Sequence, residues 1–425
     1  MPLEHHPQRA YLHEEIHSRP QPEIATPAAV SFLLLLAGEA EVDRSRGALA
    51  ELCRRFGAPP PHGERHFAAT LGQLGVRWEQ HTEFFTLTFA RDPADPKAPF
   101  AHPAIELVPR DWLDSLPGKV LTAAHMALVA EQERPADLAA LFEGQRVSGS
   151  RVSDGRAVVW TAFRPDGHGF VRYLVAGKAL SPARAGRLVQ RLVEIESYRM
   201  MALLGLPVAR ANGLELRRME KRLAEQVARI GAARDLTAEK VLLDELFALA
   251  TETERMVAET TYRFGATAAY GQLVGDRFRE LRATRLEDHQ PLEEYLERRF
   301  EPALRTCRSI QQRQQSLEER IARTADLART RVTVDLERQN QELLASMDRR
   351  AHLQLRLQET VEGLSVAAIS YYVVGLVGYL AKPLKDWGLG SSEVVTALAT
   401  PVVIVLVWLG MRRARRRLHR PAPEA

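Results

Sequence analysis

The first residues with a spacing suited to chemistry lie near the amino terminus, where residues 13–17 match the H-E-x-x-H zinc pattern. In that pattern two histidines on a helix bind one metal ion, and the glutamate activates water. Here Pro20 ends any helix within a turn, and no third ligand is identifiable. We therefore expect no enzyme, and a surface segment in which Glu15, His17 and Arg19 dock onto the domain or line a binding cleft.

A second set of candidate residues lies in an apolar segment near the carboxyl terminus. Gly375, Gly378 and Tyr379 fall between Leu364 and Ala381, a stretch without acidic or basic residues. Small residues let membrane helices approach closely, so these positions are candidates for helix packing or for lining a pore. A plain anchor with incidental glycines is the alternative. The segment lacks the ionisable group that usually marks an ion or proton relay.

Two apolar segments, from Leu364 to Ala381 and from Val394 to Met411, predict a transmembrane hairpin. Each has about 18 residues, near the lower limit for spanning a hydrocarbon core of roughly 30 Å. A buried soluble helix is the alternative. The tail, residues 412–425, carries six arginines, which the positive-inside rule places in the cytoplasm. The loop between the segments is neutral. We therefore expect a bacterial inner-membrane protein with both termini cytoplasmic and the lipid bilayer as a partner.

A charged helical run leads into this hairpin, and the stretch 303–382 contains no proline. One helix over this stretch would have about 80 residues. Leu336, Leu343 and Met347 are spaced seven and four apart, as in a coiled coil, although the register shifts around 329–333. An antiparallel neighbour from the preceding helices, or a parallel oligomeric seam, could occupy this face. We expect a homo-oligomer.

The amino-terminal part of the chain has the patterns of an α+β or α/β domain. Residues 28–37 are apolar, and the polar, acidic and proline-containing stretch before them is unlike a signal peptide, so they predict a buried strand. Residues 76–90 alternate and are aromatic, and 146–176 form three alternating runs separated by turn residues, which predicts strands and a three-stranded meander. No further strand is predicted after Gly177. The predicted helices beyond it cover 182–205, 213–231, 237–263 and 267–287.

The predicted fold is thus an α+β domain, then a mainly helical bundle, a long stalk helix and a two-helix transmembrane hairpin. The 425 residues have a net charge of +4, and Cys53 and Cys307 offer no disulfide framework. Nothing resembles a P-loop, a dinucleotide fingerprint or a nucleophile elbow. No platform of aromatic and basic residues supports nucleic-acid binding. The predicted domains are 1–178 (α+β), 179–300 (bundle), 301–363 (stalk), 364–411 (hairpin) and 412–425 (tail).

Two resemblances follow from these features. The first rests on the sequence EIHSRP at 15–20 and on 350–358, 361–365 and 371–376, where the predicted stalk leads into the first apolar segment. In these residues the chain resembles a bacterial family of membrane-anchored proteins without an established activity. This resemblance covers essentially the whole chain. It implies a location in the membrane more than a function.

The architecture as a whole resembles the CorA-type magnesium transporters. Those proteins carry Gly-Met-Asn at the pore mouth, where this chain has Gly378, Tyr379 and Leu380, so the polar group that meets the hydrated ion is missing. The resemblance implies a divergent cation channel, with a divalent cation as the transported ion and no other cofactor. The alternative is a membrane-tethered scaffold or sensor whose cytosolic domain binds a ligand or a protein partner.

Overall fold

The computed structural model describes residues 5–9, 12–13, 22–63, 65–92, 95–232, 236–386 and 392–418. The chain forms two compact units. The first comprises Met1–Ala233 and Val241–Ala325, and the second comprises Arg234–Lys240 and Asp326–Ala425.

The first unit is an α/β domain built on one mixed sheet. Within the described residues its strands are β1 (Ala28–Leu36), β2 (His66–Leu71), β3 (Leu74–Gln80), β4 (Phe84–Arg91), β5 (Lys119–Ala130), β6 (Ser148–Val152), β7 (Ala157–Pro165), β8 (Val171–Gly177) and β9 (Thr284–Arg285). Their order across the sheet is β2-β3-β4-β1-β5-β8-β7-β6-β9. Strands β5 and β8 run parallel, and the other neighbouring pairs are antiparallel.

Helices cover both faces of this sheet. All helices within the described residues, including those that do not cover the sheet, are α1 (Glu39–Arg55), α2 (Arg110–Asp114), α3 (Leu138–Leu141), α4 (Pro182–Leu203), α5 (Gly205–Ala232), α6 (Leu236–Leu281), α7 (Leu292–Arg299), α8 (Glu301–Asp386) and α9 (Ser392–Leu418), with short 3-10 turns at Ala104–Leu107 and Glu131–Glu133. Apolar residues of α1, α2 and α3 pack on one face. Those of α4, α6, α7 and the start of α8 pack on the other.

The central position of β1 follows from its sequence. Almost every residue of β1 is apolar, and it pairs with β4 on one side and β5 on the other. Successive side chains of a strand point to opposite faces, so a strand covered on both faces needs apolar residues at every position. Leu34 accordingly joins the core beside α4, while Leu33 and Leu35 join the core beside α1.

The structure agrees with several predictions and corrects others. The strand at 28–37, the meander and the uninterrupted stalk helix are present. Helix α6, however, passes through Gly265 without a break. The glycine therefore marks no turn, and the packing of α6 outweighs its cost of about 1 kcal/mol in a helix. A Cβ at this position would meet nothing within 4 Å. Strands β2 and β9 were not predicted; β9 has two residues, too few for an alternating pattern.

The second unit contains most of α8 and all of α9. Two helical stretches are long and apolar enough to cross a membrane. One lies within Leu292–Lys382 and includes an 18-residue segment of mean hydropathy 1.8, with 11% of that segment buried. The other is Thr396–Arg413, with mean hydropathy 1.4 and 6% buried. Both therefore present apolar side chains to their surroundings.

Candidate functional site

The best-formed candidate site is a cleft of about 390 Å³ in the first unit. It lies between α4 and the face of strands β2, β3 and β4 that is turned away from α1. Val189 and Val193 of α4 form one wall. The opposite wall consists of small side chains from the three strands: Ala68, Thr70, Gly75, Thr88 and Ala90.

The alternation of β3 explains why this wall is open. Leu74, Val76 and Trp78 point into the core beside α1 and are almost fully buried. The residues between them therefore face the cleft. One of them is Gly75, where an added Cβ would lie 3.6 Å from the Cβ of Ala90. Small residues at these positions leave space that larger side chains would fill.

The segment Pro22–Ile24 closes one side of the cleft and is held tightly against α4. The Ile24 N–H donates a hydrogen bond to the Pro182 carbonyl at 3.1 Å. At Gly186 a Cβ would lie 1.8 Å from the Pro22 carbonyl oxygen, so only glycine permits this contact. The side of the cleft is therefore preformed.

A buried ion pair forms one end of the cleft. The Arg77 Nε donates to Glu79 Oε1 at 2.8 Å, and these side chains are only 14% and 16% exposed. The ring of His66 on β2 brings its Nδ1 to 3.8 Å from the same oxygen. Burial alone would raise the pKa of Glu79, but His66 and Arg77 outweigh it and lower this pKa to about 2. Glu79 therefore stays ionised at neutral pH.

The wall on α4 also carries polar groups with fixed partners. The Gln190 amide donates to Glu194 Oε1 at 3.0 Å, and Glu194 forms an ion pair with Arg277 of α6. The cleft is thus apolar in its middle and bounded by polar groups that are already held in place. Pockets of this kind, largely apolar with a few convergent polar groups, are typical of small-molecule sites.

A larger hollow of about 790 Å³ lies near α7, but it is less suited to be a specific site. Its lining is polar and includes Arg146, Arg285 and Arg298, all of which are exposed. Arg298 is already paired with Glu294 at 3.0 Å. Exposed charges of this kind are mostly solvated, and they bind weakly and in a salt-dependent way.

A buried polar network lies in the core on the α4 side of the sheet. Glu196 is completely buried, and its carboxylate accepts hydrogen bonds from Tyr173 at 2.7 Å, Thr122 at 2.8 Å and Arg199 at 2.6 Å. Burial and the neighbouring Glu196 raise the pKa of Tyr173 well above its usual value. The network joins α4 to β5 and β8. The sequence contained one sign of it, a glutamate among the apolar positions of α4.

A serine and a histidine also meet in the core. The Ser31 Oγ lies 3.0 Å from His125 Nδ1 and accepts a hydrogen bond from the Ile105 N–H at 3.1 Å. The His125 ring stacks on Phe170 at 3.9 Å, and burial lowers the pKa of His125 to about 4. Ser31 is completely buried, and His125 is 8% exposed. The pair therefore fastens β1 to β5 and to the 3-10 turn rather than presenting a nucleophile.

The residues predicted from the sequence lie elsewhere. Glu15, His17 and Arg19 fall outside the described residues. Their suggested role at a cleft therefore stays a prediction. In the sequence they shortly precede Pro22, which lines the cleft. Within the described ranges, no group of three or more His, Cys, Asp or Glu side chains could hold a metal ion.

The glycine positions of the first apolar segment do come together with α9. Gly375, Gly378 and Tyr379 line a groove of about 470 Å³ with residues of α9. A Cβ at Gly378 would lie 3.5 Å from Thr396 Oγ1, whereas one at Gly375 would meet nothing within 4 Å. Gly378 therefore lies at a helix contact, and the pore-lining role of these residues stays a prediction.

The domain defined by these features is an α/β domain with a mixed sheet and a side cleft, followed by a long helical region. The chain belongs to DUF3422, a family described as proteins of unknown function, whose model matches residues 4–418. None of the curated proteins compared with the sequence matches it.

Proposed function

We propose that this protein is a membrane-tethered ligand-binding protein. Its two carboxyl-terminal apolar helices insert into the bilayer, and its first unit binds a small amphipathic molecule in the cleft between α4 and β2, β3 and β4. The observation that carries the proposal is the preformed cleft, with an apolar middle and the fixed Arg77–Glu79 pair at one end.

The exposed surfaces of α8 and α9 support the tether. Leu364, Leu376 and Leu398 are each more than 60% exposed, and large exposed apolar patches mark protein-binding or membrane-binding surfaces. At the ends of the apolar segments, Lys382 lies over the Tyr379 ring at 4.7 Å and Arg412 over the Trp408 ring at 5.0 Å. Aromatic and basic side chains are enriched at the membrane–water interface.

The orientation follows from the arginine-rich tail. By the positive-inside rule we place both termini in the cytoplasm of a bacterium and the two helices in its inner membrane. The cleft would then sample cytoplasmic molecules or molecules that partition from the inner leaflet.

Transport of a divalent cation stays a separate prediction from the CorA-type resemblance. The first apolar segment offers Gly375, Gly378 and Tyr379 but no acidic or basic residue, and the described residues hold no metal-binding cluster. Divalent flux into proteoliposomes loaded with a magnesium dye, above that of empty vesicles, would favour transport over tethering.

The ligand-binding proposal is tested by filling the cleft. Full-length protein would be purified from membranes into lipid nanodiscs. Native mass spectrometry would then identify the small molecules that remain bound to it. We expect a co-purified molecule that is lost in Ala90→Leu, because this side chain would occupy the space beside Gly75. The matched control is Ala139→Leu on the exposed surface of α3, which should retain the molecule. Equal occupancy in the two variants, or none in the wild type, would contradict the proposal.

A further inference from the structure

Helix α8 contains a long segment that is exposed on all sides. At the start of the second unit, Arg331 Nε lies 2.8 Å from Glu239 Oε1 of α6. From 333 to 361 every residue is exposed except Asp335 and Ser346, which are half-buried. Helices in water gain most of their stability from packing an apolar face, so an exposed helix of this length has little stability by itself.

This exposed segment has a seven-residue repeat. Its first series of positions is Leu336, Leu343, Arg350, Leu357 and Leu364. Its second series, four residues after each of the first four, is Asn340, Met347, Gln354 and Val361. These two series correspond to the d and a positions of a coiled coil. A strict seven-residue period, unlike the 3.6-residue period of a helix that packs on a globular core, predicts a left-handed supercoil.

The side chains in these positions are free to meet a partner. The leucines at the d positions are 45% to 72% exposed, and Met347 and Val361 at the a positions are 65% and 57% exposed. Leu344 and Leu353, at the flanking e and g positions, are also exposed and widen the apolar surface.

Two side-chain pairs lie away from this seam. Arg338 pairs with Glu342 at 3.3 Å, and His352 lies 3.6 Å from Asp348. In the same register these four residues occupy the f, c, f and b positions, which face solvent in a coiled coil. The polar residues within the seam are Asn340 and Gln354 at a positions and Arg350 at a d position. Leucine at four of the five d positions, together with an asparagine at one a position, is typical of parallel, two-stranded coiled coils.

We propose that residues 333–364 of α8 pair with the same segment of a second copy of this chain in a parallel, in-register, two-stranded coiled coil. The partner is a second copy of the chain because a helix face with this seven-residue repeat can pack against an identical face. The next a positions after Val361 are Ala368 and Gly375, small residues that would let the two helices stay close beyond the seam. The pairing does not depend on the ligand cleft of the first unit.

The pairing is tested by disulfide crosslinking of the full-length protein in membranes. Single cysteines would be introduced as Leu343→Cys and Leu357→Cys at d positions, and as Leu355→Cys at a b position that is 49% exposed. The native Cys53 and Cys307 are buried, and the unchanged chain controls for them. Equivalent d positions of a parallel pair are close enough for a disulfide, whereas outward b positions are not.

Under mild oxidation we expect covalent dimers from the two d-position variants. Leu355→Cys should form no more covalent dimer than the unchanged chain. A ladder above the dimer, a crosslink to a protein of another mass, equal crosslinking at all three sites, or none would each overturn the proposal. Light scattering in mild detergent provides the second measurement. It should give a protein mass of about 95 kDa, twice the 47.6 kDa chain.

The double variant Leu343→Asp/Leu357→Asp should raise the dissociation constant of the dimer at least tenfold, because two charges would replace seam leucines. The near-ultraviolet circular dichroism of the first unit should not change in this variant, which separates loss of pairing from loss of folding. A wild-type monomer, or a double variant that remains dimeric, would contradict the coiled coil.

Discussion

The two units bury their apolar residues in opposite ways. In the first unit, the sheet and its covering helices enclose the apolar side chains, and even charged groups such as Glu196 and the Arg77–Glu79 pair have fixed partners. In the second unit, α8 and α9 leave leucines and tyrosines exposed along most of their length. The first unit therefore contains its own stabilising contacts, whereas the second leaves apolar surface that a bilayer or another chain could cover.

This difference supports the separate roles that we propose for the two units. A cleft whose wall, side and polar end are held by internal contacts is suited to bind a ligand without large rearrangement. An apolar helix pair with basic residues at its ends is suited to hold that cleft at a membrane. Mutations in the first unit should thus unfold it. Mutations in the second unit should instead weaken its insertion into the bilayer or its pairing with another chain.

The largest effect is expected at the buried network of the first unit. Glu196→Ala would leave Arg199 buried without its carboxylate and should lower the free energy of unfolding by about 3–5 kcal/mol. Denaturant unfolding followed by tryptophan fluorescence would measure this change. Glu215→Ala, which removes an exposed pair with Arg218, is the control and should change stability by no more than about 0.5 kcal/mol. Similar values for both variants would remove the contrast between buried and exposed charges.

The contact between α4 and the segment Pro22–Ile24 should be almost as sensitive. Gly186→Val would place side-chain atoms where the Pro22 carbonyl lies, and we expect a loss of about 3 kcal/mol from overpacking. Gly265→Ala, in open space on α6, should instead stabilise the protein by up to about 1 kcal/mol. Unfolding curves of the two variants test this difference in sign. A tolerated valine at 186 would show that the side of the cleft is not rigid.

The second unit should respond in the membrane rather than in unfolding. Leu376→Arg in the first apolar segment should disfavour insertion by about 2.5–3.5 kcal/mol, whereas Leu355→Arg, outside that segment, should not. Extraction of membranes with alkaline carbonate would report the fraction of protein that remains inserted. If Leu376→Arg and Leu355→Arg are retained equally well, the apolar segment is not a membrane span.

A smaller effect is expected from the pH dependence of the ion pair in the cleft. The pKa of Glu79 is about 2 in the folded protein, whereas that of an unperturbed glutamate is 4.5. The stability from its ionised form is therefore fully present above pH 4.5 and is lost as the pH falls towards 2. Between pH 7 and pH 3 this loss should amount to about 2 kcal/mol.

The comparison of wild type with Glu79→Gln isolates that contribution. The variant cannot ionise at this position, so its free energy of unfolding should fall less steeply between pH 4.5 and pH 2. Parallel pH profiles for the two proteins would show that Glu79 is not held ionised by Arg77 and His66.

The sequence predicted local patterns better than distant contacts. The apolar run of β1, the alternating strands of the meander and the proline-free α8 each follow from periodicity within a short stretch. The site depends instead on residues brought together from β2, β3, β4 and α4, and no local pattern indicated that Gly186 would meet Pro22. Strand β2 is an edge strand with small, half-exposed residues, so it lacked the apolar alternation that revealed its neighbours.

The central claim is that the cleft of the first unit holds a small molecule in the cell. It is tested most directly by replacing Gln190, at the wall of the cleft, with p-benzoylphenylalanine and irradiating cells that contain the full-length protein. We predict that the peptide carrying this residue gains the mass of one small molecule, and that the same replacement at the exposed Ala139 gains none. No adduct at position 190, or the same adduct at both positions, would contradict the account.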